Sequence, residues 1–167
     1  MAIEDVDEQA QDKPKASKAL GFQPSLKGRA LRLLSQREHS RQELERKLAE
    51  HEQVPGELAK ALNELQARDF INDGRAIESV VHRKSAKWGA ARVKQELTSK
   101  GLTGEAVAQA LAELRDTELS RAQEVWLKKF SSPAADPNER NRQARFLIRR
   151  GFAAEIVRRV VQGCDDL

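Results

Sequence analysis

Two nine-residue segments with the same layout decide the fold, LTSKGLTGE at 97–105 and LIRRGFAAE at 147–155. In both segments a leucine is followed four residues later by glycine, then by an apolar residue, and three residues further on by glutamate. A shorter copy, VPGE, occupies 54–57, and the apolar positions 54, 102 and 152 recur at steps of 48 and 50 residues. A period near 50 residues predicts a tandem array of small units that stabilise one another.

The glycine and the glutamate of these copies have physical roles that we expect to be structural. Gly101 and Gly151 follow the middle helix of their units, where a left-handed turn ends a helix without a Cβ clash. Glu57, Glu105 and Glu155 open the next helix, where the helix dipole favours a negative charge. We therefore assign these residues to the fold rather than to a ligand site.

The segments around the copies have the apolar period of helices, and no stretch alternates with a period of two. Ser40 stands three residues before Glu43, the spacing of a capping box, and Pro55 suits the first turn of a third helix. We predict an all-α protein of about nine helices in three tandem three-helix units that form an elongated, curved array. The predicted units are 26–71, 72–115 and 116–163, followed by a frayed C-terminus at 164–167.

The composition of the 167-residue chain is that of a helical protein outside the membrane. Charged residues make up 34% and hydrophobic residues 39%, with five Phe, two Trp and no Tyr. No apolar run approaches the roughly 18 residues that a membrane-spanning helix needs. Seams of Leu and Ala suit thin layers between helices, which gives the scarcity of aromatic residues a structural reason.

Residues 1–25 differ from the rest of the chain, because they carry five acids against three lysines and show no apolar period. We predict that they form a disordered acidic tail. The rest of the chain then holds 27 Lys and Arg against 21 Asp and Glu, so the net charge of +4 rises to +6 over the folded part. A basic balance of this kind favours an anionic partner.

Few residues have the pattern of a catalytic or metal site. Cys164 is the single cysteine and has no partner for an intrachain disulfide, which favours a reducing, cytoplasmic setting. His39, His51 and His82 lack metal-ligand spacing, no glycine-rich phosphate loop is present, and the N-terminus has no secretory signal. We expect no enzyme activity, no cofactor and no metal, and we assign His39 to a loop or an interface.

Two stretches of the folded part are strongly basic. Residues 82–100 and 142–159 each contain a single acid, and the cations of the second stretch are six arginines. Arg142, Arg145 and Arg149 have the spacing of one helix face. A solvated surface is one interpretation, but the guanidinium forks favour bidentate recognition of phosphate or carboxylate. Trp88 either stacks on a base or fills a partner's pocket, or it is buried between units.

Taken together, these residues resemble the RecX family, which regulates the bacterial RecA recombinase. The strongest match is LLSQREHSRQELERKL at 33–48, followed by FIND at 70–73, the helix between Gly89 and Gly101, and RFLIRRGF at 145–152. The resemblance covers about residues 26–163. Ala76 with Ile77, and Ala90 after Gly89, depart from the family pattern as packing and helix-start substitutions.

The resemblance implies a non-enzymatic, monomeric, cytoplasmic regulator of homologous recombination, DNA repair and the SOS response. It implies binding to the RecA–DNA filament and inhibition of the recombinase, ATPase and coprotease activities, by blocking filament extension or promoting disassembly. The alternative is a stand-alone basic helical DNA-binding module, and direct contact with DNA is left open. The candidate residues for partner or DNA binding are Arg37, Arg41, Arg83, Lys84, Lys87, Trp88, Arg92, Lys94, Lys100, Arg142, Arg145, Arg149 and Arg150.

Overall fold

A computed structural model of the chain describes residues 24–130 and 132–163, and within these ranges it contains nine α-helices and no strand. The helices are α1 (Leu26–Gln36), α2 (Arg41–Leu48), α3 (Glu57–Ala67), α4 (Asp73–Ser85), α5 (Ala90–Ser99), α6 (Glu105–Asp116), α7 (Glu118–Phe130), α8 (Pro137–Arg149) and α9 (Ala154–Gln162), with a 3₁₀ turn at Ala49–His51 after α2. The all-α prediction is confirmed for the described residues. The predicted tail lies outside them except for its last two residues, and 164–167, with Cys164, also lie outside.

Each consecutive set of three helices encloses its own apolar core. The first unit (α1–α3) packs around Leu62, the second (α4–α6) around Leu97 and the third (α7–α9) around Leu147, and each of these leucines is fully buried. Burying one such side chain contributes about 1.5–3 kcal/mol. The three tandem three-helix units are therefore confirmed, while the exact boundaries between them stay a prediction.

Most of the local sequence signals for helix ends lie where the structure has a helix end. The Ser40 hydroxyl accepts from the Glu43 amide at 3.1 Å, and the Glu43 carboxylate accepts from the Ser40 amide at 3.4 Å, so the predicted capping box is confirmed. The third helix begins near Pro55, as predicted, but the placement of Pro55 in its first turn is wrong, because Pro55 lies two residues before the helix. Gly56, with φ of +93°, ends the preceding turn, so that α3 begins at Glu57 and leaves Pro55 outside it.

The two joints between neighbouring units share one geometry. At the first joint, the Ser40 hydroxyl at the start of α2 donates to the carbonyl of Lys100 at the end of α5. At the second joint, the Gly89 amide at the start of α5 donates to the carbonyl of Arg150 at the end of α8, over 2.9 Å. The N-terminus of α2 therefore meets the C-terminal turn of α5, and the N-terminus of α5 meets the C-terminal turn of α8. The same end-to-end arrangement of middle helices thus occurs at both joints.

The second joint is a close contact between two stretches of backbone. A Cβ atom on Gly89 would lie 2.2 Å from the carbonyl oxygen of Gly151, and a Cβ atom on Gly151 would lie 2.5 Å from the Arg92 amide nitrogen. Gly151 also has a φ of +82°, the left-handed turn that the sequence predicted for it. Two glycines at this point allow the third unit to rest directly on the second.

Two polar side chains of α7, the buried Glu118 and the half-buried Arg121, add to the same joint, and the sequence pattern indicated neither. The Glu118 carboxylate accepts from the amides of Ala90 at 3.1 Å and Ala153 at 3.4 Å, which are at the starts of α5 and α9. Negative charge is favoured at such helix N-termini. The Arg121 guanidinium donates to the carbonyl of Trp88 at 2.8 Å, and burial lowers its pKa below the usual value. The third unit is thus tied to the second by charge as well as by backbone contact.

Candidate functional site

The largest concave surface among the best-defined cavities lies on the third unit, between the end of α7 and the outer face of α8. It has a volume of about 670 Å³, and we call it the third-unit groove. Two phenylalanines, Phe130 and Phe146, and one amide, Asn138, complete its lining. Its remaining lining residues are the five cations Lys129, Arg142, Arg145, Arg149 and Arg150.

The local sequence explains why α8 presents its arginines to this groove. Asp136 caps the helix by accepting from the Glu139 amide at 2.9 Å, and Pro137 occupies the first turn, where a missing amide proton is tolerated. On the inner side, Leu147 is fully buried and the amide of Gln143 accepts from the indole of Trp126 at 2.9 Å. The opposite face, with Arg142, Arg145 and Arg149, is therefore left exposed, as the helical spacing predicted.

The charge of the groove is largely uncompensated. Arg142 pairs with Glu139 over 3.4 Å at a solvent-exposed position, which contributes little energy. Arg145, Arg149 and Lys129 form no ion pair with any residue in the described part of the chain. Guanidinium groups without a carboxylate partner are available to an external anion, and phosphate or carboxylate suits their geometry.

The aromatic wall of the groove is already engaged within the protein. Phe130 and Phe146 pack edge to face, with ring centroids 5.1 Å apart at an interplanar angle of 86°. The Arg150 guanidinium lies 4.5 Å from the centre of the Phe146 ring. These contacts fix Arg150 in position through a cation–π interaction and give the groove an apolar floor.

The structure brings the two basic stretches of the sequence together at the second joint. The Arg150 guanidinium donates to the carbonyl of Lys87 at 3.4 Å, although 63 residues separate them. The Lys84 ammonium and the Arg92 guanidinium lie 4.3 Å and 5.2 Å from the ring centre of Trp88. The third-unit groove together with Lys84, Lys87, Trp88 and Arg92 is called the basic surface below.

For Trp88, the structure favours the packing alternative over the free stacking one. The indole is partly buried against the core of the second unit, and two cations lie at its ring. The indole ring therefore already holds Lys84 and Arg92 through cation–π contacts within the chain.

Two candidate residues, Arg37 and Lys100, lie in the first joint, and a third, Arg41, lies beside it on α2. The Lys100 ammonium lies 2.7 Å from the Glu43 carboxylate, and the Arg37 guanidinium lies 2.8 Å from it. Lys100 is only 8% exposed, so the expectation that it contacts a partner is wrong: it neutralises a buried carboxylate within the chain. Arg41 pairs with Glu45 over 2.8 Å on the surface of α2.

The remaining two candidates lie away from the third-unit groove. Arg83 is exposed and donates to the carbonyl of Ser79, one turn back in α4. Lys94 is exposed too, but it lines a separate groove of the second unit beside Thr98 and Arg115. The periodicity of α5 explains this separation, since residues two apart face different sides of a helix.

The first joint contains a buried charge cluster that the sequence did not reveal. Glu43 is 3% exposed, and hydrogen bonds from Arg37 and Lys100 outweigh burial and lower the pKa of its carboxyl from 4.5 to about 2. His39 is 1% exposed, and burial with the nearby charge of Arg37 lowers the pKa of its imidazole from 6.5 to about 4. His39 lies in the loop between α1 and α2, in agreement with its assignment to a loop or an interface, and its imidazole is neutral at neutral pH.

The described part of the chain contains no group of three or more His, Cys, Asp or Glu residues that could hold a metal ion. None of the helices described is long and apolar enough to cross a bilayer.

Three tandem three-helix units with a cationic surface define a helical repeat protein. Models of the first, second and third three-helix domains of RecX match residues 27–65, 72–111 and 116–161, in that order along the chain. The chain belongs to the RecX family.

Named relatives and solved structures agree with this assignment. The regulatory protein RecX of Leptothrix cholodnii is 50% identical over 143 residues, which cover 86% of this chain and 91% of the relative. The regulatory protein RecX of Ralstonia nicotianae is 45% identical over 150 residues, covering 89% and 94%. Both relatives are named as regulatory proteins.

Two crystal structures share the fold. One of regulatory protein RecX has a TM-score of 0.68 at 21% identity, over 82% of this chain and 71% of that one. One of RecX from Lactobacillus salivarius has a TM-score of 0.63 at 24% identity, over 82% and 92%. At these identities the likeness shows the arrangement of helices alone.

Proposed function

We propose that the protein is a monomeric, cytoplasmic regulator that binds the RecA–DNA filament and inhibits its recombinase, ATPase and coprotease activities. Inhibition follows from blocking filament extension or from promoting disassembly. The observation that carries the proposal is the match of all three RecX domains in order along one chain.

The repeated joint supports binding to a repeating target. Three units with separate cores are linked by the same helix-to-helix contact, so each can present a small patch to successive protomers of a filament. Linked patches gain from effective concentration, because the first contact holds the others close to their sites. Modest individual contacts can then sum to stable binding.

The basic surface supports the assignment of the second and third units to the contact. It combines the unpaired Arg145 and Arg149 with Lys87 and Arg92, and a filament offers both DNA phosphates and protein carboxylates. Contacts of this kind weaken as salt rises. Arg37 and Lys100 are excluded from this contact set, because both serve Glu43 within the chain.

The proposal is tested by adding the protein at a substoichiometric ratio to RecA, single-stranded DNA and ATP. We expect a lower ATPase rate and shorter filaments by electron microscopy. Unchanged ATPase and unchanged filament length would exclude the proposed function.

A pair of double variants tests the contact surface. Arg145→Glu with Arg149→Glu reverses two groove charges, while Arg158→Glu with Arg159→Glu reverses two exposed charges on α9 of the same unit. We expect only the first variant to lose inhibition, with helix content unchanged in both. If the two variants inhibit RecA equally well, the arginine face of α8 is only a solvated surface and does not contact the filament.

The second candidate function, a stand-alone DNA-binding module, is favoured by the uncompensated charge of the third-unit groove. A salt titration of duplex and single-strand binding without RecA separates the two functions. Tight binding at physiological salt favours the stand-alone module, whereas weak binding that RecA strengthens favours the filament regulator.

A further inference from the structure

We propose that a groove on the first unit is a site for an acidic peptide and that its occupant is the chain's own acidic segment at residues 4–12. This segment holds five acids and no cation, and it lies outside the described residues. The groove lies between α1 and the end of α2, has a volume of about 320 Å³, and is called the first-unit groove. The contact goes beyond the proposed function, because it concerns a different unit from the basic surface and needs no RecA.

The lining of the first-unit groove carries positive charge without any acid. Its cations are Arg29, Arg32 and Lys47, and none of its lining residues is Asp or Glu. Arg32 and Lys47 are exposed, and neither forms an ion pair with another residue in the described part of the chain. Two cations of the groove are therefore available to carboxylates.

The acidic segment is attached at the rim of this groove. Pro24, the first described residue, is part of the lining, and its carbonyl accepts from the Arg29 guanidinium at 3.2 Å. Asp12 precedes Pro24 by twelve residues, over which a chain reaches up to about 40 Å. Tethering raises the effective concentration of a segment to the order of millimolar, so an intrinsic Kd of about 1 mM fills the groove in about half of the molecules.

A second groove that Pro24 lines provides an internal comparison. Its charged lining residues are two lysines and two glutamates, Lys27, Lys60, Glu57 and Glu64. The Lys27 ammonium lies 3.0 Å from the Glu64 carboxylate. Because the charges of this balanced groove cancel, an acidic segment that joins the chain at Pro24 is attracted to the first-unit groove instead.

The start of α1 favours the same occupant. The Ser25 hydroxyl caps this helix by accepting from the Gly28 amide at 3.1 Å, and the first turn contains no acid. The helix dipole favours negative charge at this end. Gly28 is part of the groove lining, so carboxylates in the groove are stabilised by the helix end as well as by the cations.

Paramagnetic relaxation measured by NMR on the full chain locates the segment without RecA. Gln9→Cys with Cys164→Ser places a single nitroxide label within the acidic segment and leaves its five acids in place. We expect the amides of Gly28, Arg32 and Lys47 to lose about half of their intensity or more at about 0.1 M salt, where the Debye length is about 10 Å. The intensity should return at about 1 M salt, where the Debye length is about 3 Å. Amides of the third unit should keep their intensity throughout.

Charge reversals separate the groove from the rest of the first unit. Arg32→Glu with Lys47→Glu reverses two groove cations, whereas Arg46→Glu with Lys60→Glu reverses two exposed cations outside it and gives the same net charge. We expect only the first pair to abolish the intensity loss, with helix content unchanged in both. A third variant that neutralises the segment should abolish it as well, and its substitutions are E4Q, D5N, D7N, E8Q and D12N.

Three results would overturn the inference. They are unchanged groove amides in the labelled chain, equal effects of the two double variants, and an intensity loss that about 1 M salt does not reverse. An intensity loss at the third-unit groove instead would show that the segment binds there and that the assignment to the first unit is wrong.

Inhibition of the RecA ATPase is measured separately on the unlabelled protein. Normal inhibition without an intensity loss at the first-unit groove refutes this inference and leaves the proposed function standing. An intensity loss without inhibition does the reverse.

Discussion

Replacing Glu43 by Gln is expected to destabilise the first joint by about 3 kcal/mol at neutral pH. The carboxylate accepts from Lys100 at 2.7 Å and from Arg37 at 2.8 Å, and it is 3% exposed. The amide of Gln keeps the shape of the side chain but removes the charge, so the Lys100 ammonium is left buried without a counter-ion.

Two independent arguments give the size of the stability loss expected for Glu43→Gln. Removing one partner of a buried ion pair costs about 3–5 kcal/mol. Separately, the pKa of the Glu43 carboxyl falls from 4.5 to about 2, and each unit corresponds to about 1.4 kcal/mol, which gives about 3 kcal/mol. Arg37 is partly exposed and can be solvated after the change, which favours the lower end of the range.

The sign of the pH dependence follows from the same shift. Because the folded-state pKa lies below the unfolded one, the stabilisation is fully present above pH 4.5 and is lost as the pH falls to about 2. Urea unfolding of the native protein and of Glu43→Gln, followed by circular dichroism, should therefore show a difference that is largest near neutral pH and shrinks towards pH 2.

Glu45→Gln is the matched control, because Glu45 also lies on α2 and pairs with Arg41 over 2.8 Å but is half-exposed to solvent. It is expected to cost less than about 1 kcal/mol. If Glu43→Gln costs no more than this control, or if its effect does not change with pH, the Glu43 cluster does not stabilise the joint as argued.

Further predictions concern the same two joints. The pKa of the His39 imidazole is lowered from 6.5 to about 4, mainly by burial. The free energy of unfolding should therefore fall by about 3 kcal/mol as the pH drops from 6.5 to below 4, and a His39→Asn variant should lack this loss in urea titrations. Gly151→Ala adds a clash with the Arg92 backbone to left-handed strain, and should cost about 3 kcal/mol or more in denaturant unfolding. Gly56 is also left-handed, with a φ of +93°, but a Cβ atom there would meet no atom within 4 Å, so Gly56→Ala should cost only about 1–2 kcal/mol; similar losses for the two glycines would contradict the close contact at the second joint.

The helices and their grouping could be predicted because their signals are local. The apolar period of α8, the capping box at Ser40 and the glycines that end α5 and α8 each lie within a few residues of what they determine. The error at Pro55 shows the limit of such signals. Gly56 was free to adopt a left-handed conformation, and that conformation moved the helix start.

The roles of individual charges could not be predicted in the same way. Lys100 stands in a basic run and was assigned to a partner surface, yet it points into the first joint. A run of cations in the sequence does not show which of them faces a carboxylate on another unit. For Glu43, the sequence indicated only a role in the capping box with Ser40. Glu118 and Arg121 were missed for the same reason, because their partners belong to other helices.

The sequence by itself determined that residues 24–130 and 132–163 hold nine helices in three related units and that one face of α8 is cationic, since helical periodicity and capping act between neighbours in the chain. Only the tertiary structure decided which charges stay available to a partner. The Glu43–Lys100 pair closes across 57 residues and the Arg150–Lys87 contact across 63. The first contact removes the Lys100 charge from the surface, and the second joins two basic stretches into one surface. Both contacts form only where the middle helices of neighbouring units meet end to end, which local signals in the sequence do not determine.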